Sequence, residues 1–277
     1  MATIQNWSKD HVQLIVAYLD PIDIVFLARA CPRLARLLKG HLLPRLAQKI
    51  DRHFRQHFGI EYYDEFVAMM RRTETCVSGS FVLQMLLLER GKVWVGSDID
   101  LFATKVDGET EPEHHNFFCE VQGYSLDRTF YSHAPKEIEL VNSYRCTDLR
   151  ATQRVRLILP RPHSFLMKNF TKFEIVTLKN ATTRQDILDF IKGTFDFNVL
   201  MNIFYYDEKG PQVEISDLSS ILKMVIKFNP HAFISKTPDQ EPVRLAERMK
   251  KYEERGFTFV EPEWESVRYK PGKYHRK

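Results

Sequence analysis

Cross-linking chemistry is scarce in this chain. Its 277 residues hold four cysteines, Cys31, Cys76, Cys119 and Cys146, with no CxxC pair and no regular spacing. That pattern argues against a disulfide framework or a zinc site and suits a reducing compartment. Long apolar runs are missing as well: no segment offers the roughly 18 consecutive apolar residues of a spanning helix. The opening Met-Ala-Thr-Ile-Gln-Asn-Trp has no basic region followed by an apolar stretch and reads as a poor secretory signal. Together these absences predict a soluble protein of the cytosol or nucleus, with no membrane partner. Charge of one sign is in short supply too. Lys and Arg number 40 against 36 Asp and Glu, a formal balance of +4, which falls short of the basic asymmetry of a dedicated duplex-DNA binder. No internal repeat or low-complexity tract breaks the chain.

What is present is a globular composition, 44% hydrophobic, enough for one large domain or two modest ones. Near the start, Ser8 can cap a helix that carries Val12, Ile15, Val16 and Leu19 on one face. Asp20-Pro21 stops it, because proline lacks an amide donor and disfavours helix in the residue before it. A second helix follows from about Ile22, with Ile24, Leu27, Ala28 and Cys31 as its apolar positions. Pro32 ends that one, and Arg33 to Lys39 reads as a third, reaching Gly40. Such a set of helices buries little by itself and wants a partner.

The segment Trp7 to Leu38 resembles the F-box family, on the strength of Tyr18-Leu19-Asp20-Pro21-Ile22-Asp23-Ile24 and Ala28-Arg29-Ala30-Cys31. The proline usual near the start of that family is replaced here around Trp7-Ser8. The resemblance implies docking onto a Skp-type adaptor through residues 7–38, and through it attachment to a cullin ubiquitin ligase. From Gly40 onward Leu42, Leu46, Ile50, Phe54 and Phe58 recur at every fourth position, which predicts a linking amphipathic helix closed by Gly59.

Further on, Thr75-Cys76-Val77 has strand composition and is followed by Ser78-Gly79-Ser80 and then Phe81 to Leu88, a strand, tight turn and helix. Glycine in such a turn lets backbone approach a phosphate, whose charge the helix N-terminus attracts. By itself the signal is weak, since Gly-Ser before a helix is also an ordinary cap. The run Trp94 to Phe102 adds weight, because strand alternation puts Asp98 and Asp100 on one face. Two carboxylates so placed repel, and a hard divalent cation with oxygen ligands is the commonest way to neutralise them.

Gly79-Ser80 with Ser97-Asp98-Ile99-Asp100-Leu101 resembles the signature of the nucleotidyltransferase superfamily. The 17 residues between Ser80 and Asp98 exceed the compact spacing usual there. The resemblance implies Mg2+ or Mn2+ held by Asp98, Asp100 and a third carboxylate from a later strand, with a nucleoside triphosphate as substrate and Gly79, Ser80 and Ser97 at the nucleotide. Asp196 is the leading third acid: Phe173 to Leu178 reads as a strand, Thr183 to Ile191 as a helix, and Asp196 then opens an alternating apolar run in a βαβ connection. Glu137 and Glu139 are its rivals. The stretch Ile187 to Asn202 is also similar to F-box-linked fungal and large-DNA-virus proteins.

His114, His115 and Cys119 lack a fourth ligand at metal spacing, and His163 and His231 follow proline in loop-like contexts, so none is expected in a site. The end, Arg244 to Lys277, interleaves basic and aromatic residues as single-strand nucleic-acid binders do. Glu253 and Glu254 beside Lys250 and Lys251 read more simply as a solvated helix before Gly256. The expected architecture is α+β: an F-box-like module over 1–45, a linking helix over 46–60, a nucleotidyltransferase-like mixed sheet with flanking helices over 61–235, holding an insertion near Lys105 to Pro135, and a C-terminal helix and tail over 236–277.

Overall fold

The computed structural model describes residues 8–38, 40–87, 98–104, 110–129, 138–145, 172–179, 181–233 and 241–260. Ser97, Glu137, His163 and the chain beyond 260 lie outside these, as does the side chain of Glu139. Helix α1 (Lys9–Val16) starts where Ser8 predicts, in a reciprocal cap: the Ser8 hydroxyl oxygen accepts the His11 amide, and His11 Nδ1 accepts the Ser8 amide. In α2 (Pro21–Ala30) the proline sits at the first helical position, where its missing amide is harmless. After α3 (Pro32–Leu38) the chain enters α4 (Leu42–Phe58). Val12, Val16, Ile24, Val25, Leu34, Leu38 and Leu42 form a small core of their own.

Helix α4 runs unbroken from that core into the main one, across the boundary expected near residue 45. Its predicted stripe is fully realised, with Leu42, Leu46, Ile50, Phe54 and Phe58 all buried. Gly59, at φ 76°, ends it and opens α5 (Ile60–Arg72), a helix the sequence reading left unassigned.

The sheet is built from β1 (Cys76–Ser78), β2 (Ile99–Ala103), β3 (Ser125–Thr129), β4 (Ile138–Arg145), β5 (Lys172–Leu178), β6 (Ile203–Asp207) and β7 (Gly210–Glu214), in the order β3-β4-β5-β2-β1-β6-β7. Only the β2–β5 neighbours run parallel; the other adjacent pairs are antiparallel. Strand alternation divides its faces. Val77, Ile99, Leu101, Phe173 and Ile175 meet α4, α5 and α6 (Ser80–Leu87) in a large aromatic core with Phe54, Phe66 and Phe81. On the opposite face Cys76, Phe102, Val141 and Val176 meet Ile187, Leu188 and Ile191 of α8 (Arg184–Thr194). Between β2 and β3 lies α7 (Thr110–His115), continued by a wider turn over Asn116–Val121.

The expected βαβ connection exists but ends later than predicted. From β5 the chain crosses through α8, which Thr183 caps, and returns in β6, parallel to β5 with β2 and β1 between them. Asp196 therefore opens no strand. It lies in the bend between α8 and a single 3-10 turn at Asn198–Leu200. The remaining elements are α9 (Leu218–Lys223), β8 (Val225–Ile226), α10 (Glu241–Glu254) and β9 (Thr258–Phe259), with β8 and β9 pairing in parallel. Lys250, Glu253 and Glu254 on α10 are solvated, while Tyr252 and Phe257 join the main core. Among the described residues no helix is long and apolar enough to cross a membrane.

Candidate functional site

Three strand ends meet where the acids lie. Strands β2 and β5 begin side by side, and β1, antiparallel to β2, ends there. Cross-strand register then lines up Ser78, Asp100, Glu174 and Ser143 on one face over four neighbouring strands. The next row on that face is Cys76, Phe102, Val176 and Val141, the apolar row under α8. The polar row thus sits one pleat beyond the hydrophobic contact, and Asp98, two residues before Asp100, lies further out still, its side chain 43% exposed.

Gly79 shapes the turn. Its φ of 76° is a left-handed conformation that side chains resist, and a Cβ there would stand 2.8 Å from Asp100 Oδ2. The glycine leaves room for the carboxylate. Its amide is engaged by the Leu200 carbonyl at 3.3 Å, so it is not offered to a phosphate as the sequence reading expects. The Ser78 hydroxyl likewise donates back to the Asn202 carbonyl at 2.8 Å. Ser80, half-buried, begins α6 at this same turn.

The electrostatics are those of crowded acids. Burial, reinforced by Glu174 and Asp98, pushes the Asp100 carboxyl up to about 7, against the pull of Arg248 and Lys251. Asp98 is raised by burial and Glu174, while Lys172 opposes the shift. The Lys172 ammonium pairs with Glu174 and lies 3.6 Å from Asp98 Oδ2. Ser143 Oγ donates to Glu174 Oε1 at 3.4 Å. From α10, burial and Arg255 hold Lys251 below the ordinary lysine range, and the charges of Asp98 and Asp100 draw it back.

Asp98 and Asp100 are therefore brought together, and Asp196 is tied to Arg248, whose charge also acts on Asp100. Asp196 is buried, its carboxylate is ion-paired with Arg248, and its carbonyl accepts the Asn229 amide at 2.8 Å. Glu174 holds the position beside Asp100. In sequence Glu174 gives little signal, because an acid between buried Phe173 and Ile175 is ordinary strand alternation. Of the histidines, His114 is buried with its Nε2 against the hydroxyls of Thr73 and Thr75 at 3.3 and 3.0 Å.

The donor set is oxygen only, which fits a hard divalent cation. As the side chains stand, no group of three or more His, Cys, Asp or Glu residues converges to hold one among the described residues. Lysine nitrogen, not open space, lies between Asp98 and Glu174.

The chain matches no protein-family model and no curated protein. Solved structures similar in part include a CCA-adding enzyme in complex with ATP, at 15% identity and TM-score 0.43, covering 68% of this chain and 36% of that one. A CCA-adding enzyme in apo form is similar at 14% identity and TM-score 0.44, covering 76% of this chain and 39% of that one. This chain spans well under half the length of either.

Proposed function

We propose that this protein is nucleotidyltransferase-like, taking a nucleoside triphosphate with Mg2+ or Mn2+ at the acidic end of the sheet. Asp98 and Asp100 are the metal ligands in this reading, and Glu174 takes the third place in preference to Asp196. The supporting observation is Asp100 itself, a part-buried acid set in register beside Glu174 and two residues from Asp98. Like charges this close make ionisation costly, and a divalent cation held by their oxygens would relieve that cost where Lys172 now stands beside them. Divalent cations held by these oxygens would supply charge neutralisation for the triphosphate and the incoming hydroxyl. Glu174 is placed to orient that hydroxyl. Ser80, at the head of α6, would meet phosphate oxygens with the positive end of the helix. Gly79 serves by its missing side chain.

The test is incubation with Mg2+ or Mn2+ and each α-labelled nucleoside triphosphate, beside an Asp98→Asn/Asp100→Asn variant. Label transfer with pyrophosphate release by the wild type only is the expected result. Metal-dependent nucleotide binding without transfer would favour a degenerate transferase domain used to bind a target. Neither binding nor transfer by the wild type would sink the reading.

A second reading concerns the N-terminal helices, and surface chemistry favours it. Leu14 is 67% exposed, Tyr18 89% and Phe26 48%. All three lie in the segment that resembles the F-box family, where exposed apolar side chains are available for docking. We infer an F-box-like role for residues 7–38, binding a Skp-type adaptor and so tethering the sheet domain to a cullin ubiquitin ligase in the cytosol or nucleus. Purified adaptor should be retained by the wild type and lost with Leu14→Ala/Tyr18→Ala. Equal retention by both would refute it.

A further inference from the structure

The geometry points to Lys172 as a built-in counter-ion that couples metal binding to triphosphate binding, its ammonium filling the place between Asp98 and Glu174 until metal and phosphate arrive together. This inference rests on the proposed metal and triphosphate site and names how that site is regulated.

Strand pairing carries the argument. Ile99 pairs with Phe173 and Asp100 with Glu174, so the next residues outward on the parallel strands, Asp98 and Lys172, are neighbours where the two strands begin. Lys172 and Glu174 share a face at the strand spacing of two. The ammonium thus has two carboxylates in reach by backbone design, pairing with Glu174 and standing 3.6 Å from Asp98 Oδ2. Two other cations also act on Asp100. Arg248 is paired with Asp196, and Lys251 acts across from the exposed surface of α10. The Ser143 hydroxyl completes the surroundings of Glu174 at 3.4 Å.

The ammonium is held but not sealed in. Side-chain exposures of 24% for Lys172, 43% for Asp98 and 18% for Glu174 leave it open to exchange. Pairs this exposed are weak, and a divalent cation outcompetes a single charge at the same oxygens. A bare cation must drive the lysine out while leaving two positive centres side by side. A triphosphate reverses that balance, because the displaced ammonium, a point charge on a four-carbon stem, swings to its phosphate oxygens. Metal and triphosphate then bind cooperatively, each raising the affinity of the other by the same factor.

Calorimetric titration of Mn2+ alone, and of Mn2+-tripolyphosphate, into wild-type, Lys172→Met and Lys172→Arg proteins tests this without any turnover. For Lys172→Met, Mn2+ alone should bind about tenfold tighter, from removal of one competing charge, while the preference for Mn2+-tripolyphosphate over Mn2+ collapses. Lys172→Arg should stay close to wild type for Mn2+ alone. Unchanged or weaker Mn2+ binding by Lys172→Met with an unaltered melting temperature overturns the inference and leaves the site reading intact. Failure of wild type and Lys172→Met alike to bind Mn2+ overturns both. If Lys172→Met melts early, Lys172→Gln is measured in its place. Early melting of both, with Mn2+ binding no tighter than wild type, assigns Lys172 a structural role and also overturns it.

Discussion

Two aspartates in this molecule are held in opposite ways. Asp217 caps α9: its carboxylate accepts the Ser220 amide and hydroxyl at 2.9 and 2.7 Å, the Asn198 amide group at 2.9 Å and the Lys227 ammonium at 3.1 Å. These donors outweigh its partial burial and hold it down to about 2. Asp100 is pushed up to about 7 by burial and by two neighbouring acids. An acid kept for structure is surrounded by donors, whereas Asp100 is set beside other acids, whose charge with burial outweighs the pull of Arg248 and Lys251.

The comparison can be broken most severely at Asp217. Asp217→Ala removes a helix cap and three side-chain partners and should destabilise by about 2–3 kcal/mol in urea denaturation at pH 7, whereas Asp100→Asn should leave stability unchanged or raised. A loss at Asp100 as large as that at Asp217 would erase the distinction. Next in size is pH. Because the Asp100 carboxyl is raised in the folded chain, the folded state holds the extra proton, and metal-free stability should fall as pH climbs from about 4 through about 7, by roughly 1–3 kcal/mol. Asp217, being lowered, works the other way, its contribution fading as pH drops from about 4 toward 2. Asp100→Asn should flatten the first slope and keep the second, as read by melting across pH.

Smaller still is Gly79→Ala, expected to lose about 1–2 kcal/mol from its positive φ and also to displace Asp100, so that Mn2+ affinity falls with stability. Retained Mn2+ affinity would show that the close approach of Gly79 is incidental. Least is Ser8→Ala, which should cost about 1 kcal/mol through loss of the α1 cap and leave metal binding untouched.

Local pattern was legible and distant pairing was not. The fourfold stripe of α4, the Ser8 cap and the break at Asp20-Pro21 follow from rules that act within a turn or two of chain. The Asp98–Asp100 pair was legible for the same reason, being two residues apart on one strand. Glu174 was not, since its place beside Asp100 comes from pairing of segments more than 70 residues apart, and alternation alone cannot say which strand becomes a neighbour. Asp196 misled because an acid ahead of an apolar run resembles a strand start. What intervened was the 3-10 turn at Asn198–Leu200, with Asn198 tied to Lys227, which delays the strand to Ile203.

Helix α4 gives the N-terminal helices a rigid mount. Leu42 sits in their small core and Leu46 in the large one, barely a turn apart on the same helix. Arg45, between them, donates to the carbonyls of Ala17 and Leu19 at 2.9 and 3.1 Å, and Leu218 and Leu222 of α9 brace the other side. There is no slack at this joint of the kind a Gly/Ser linker supplies. A partner bound at Leu14 and Tyr18 would therefore hold the acidic end of the sheet in a set direction, like a tool fixed in a vice, its reach decided by the mount and not by diffusion on a tether.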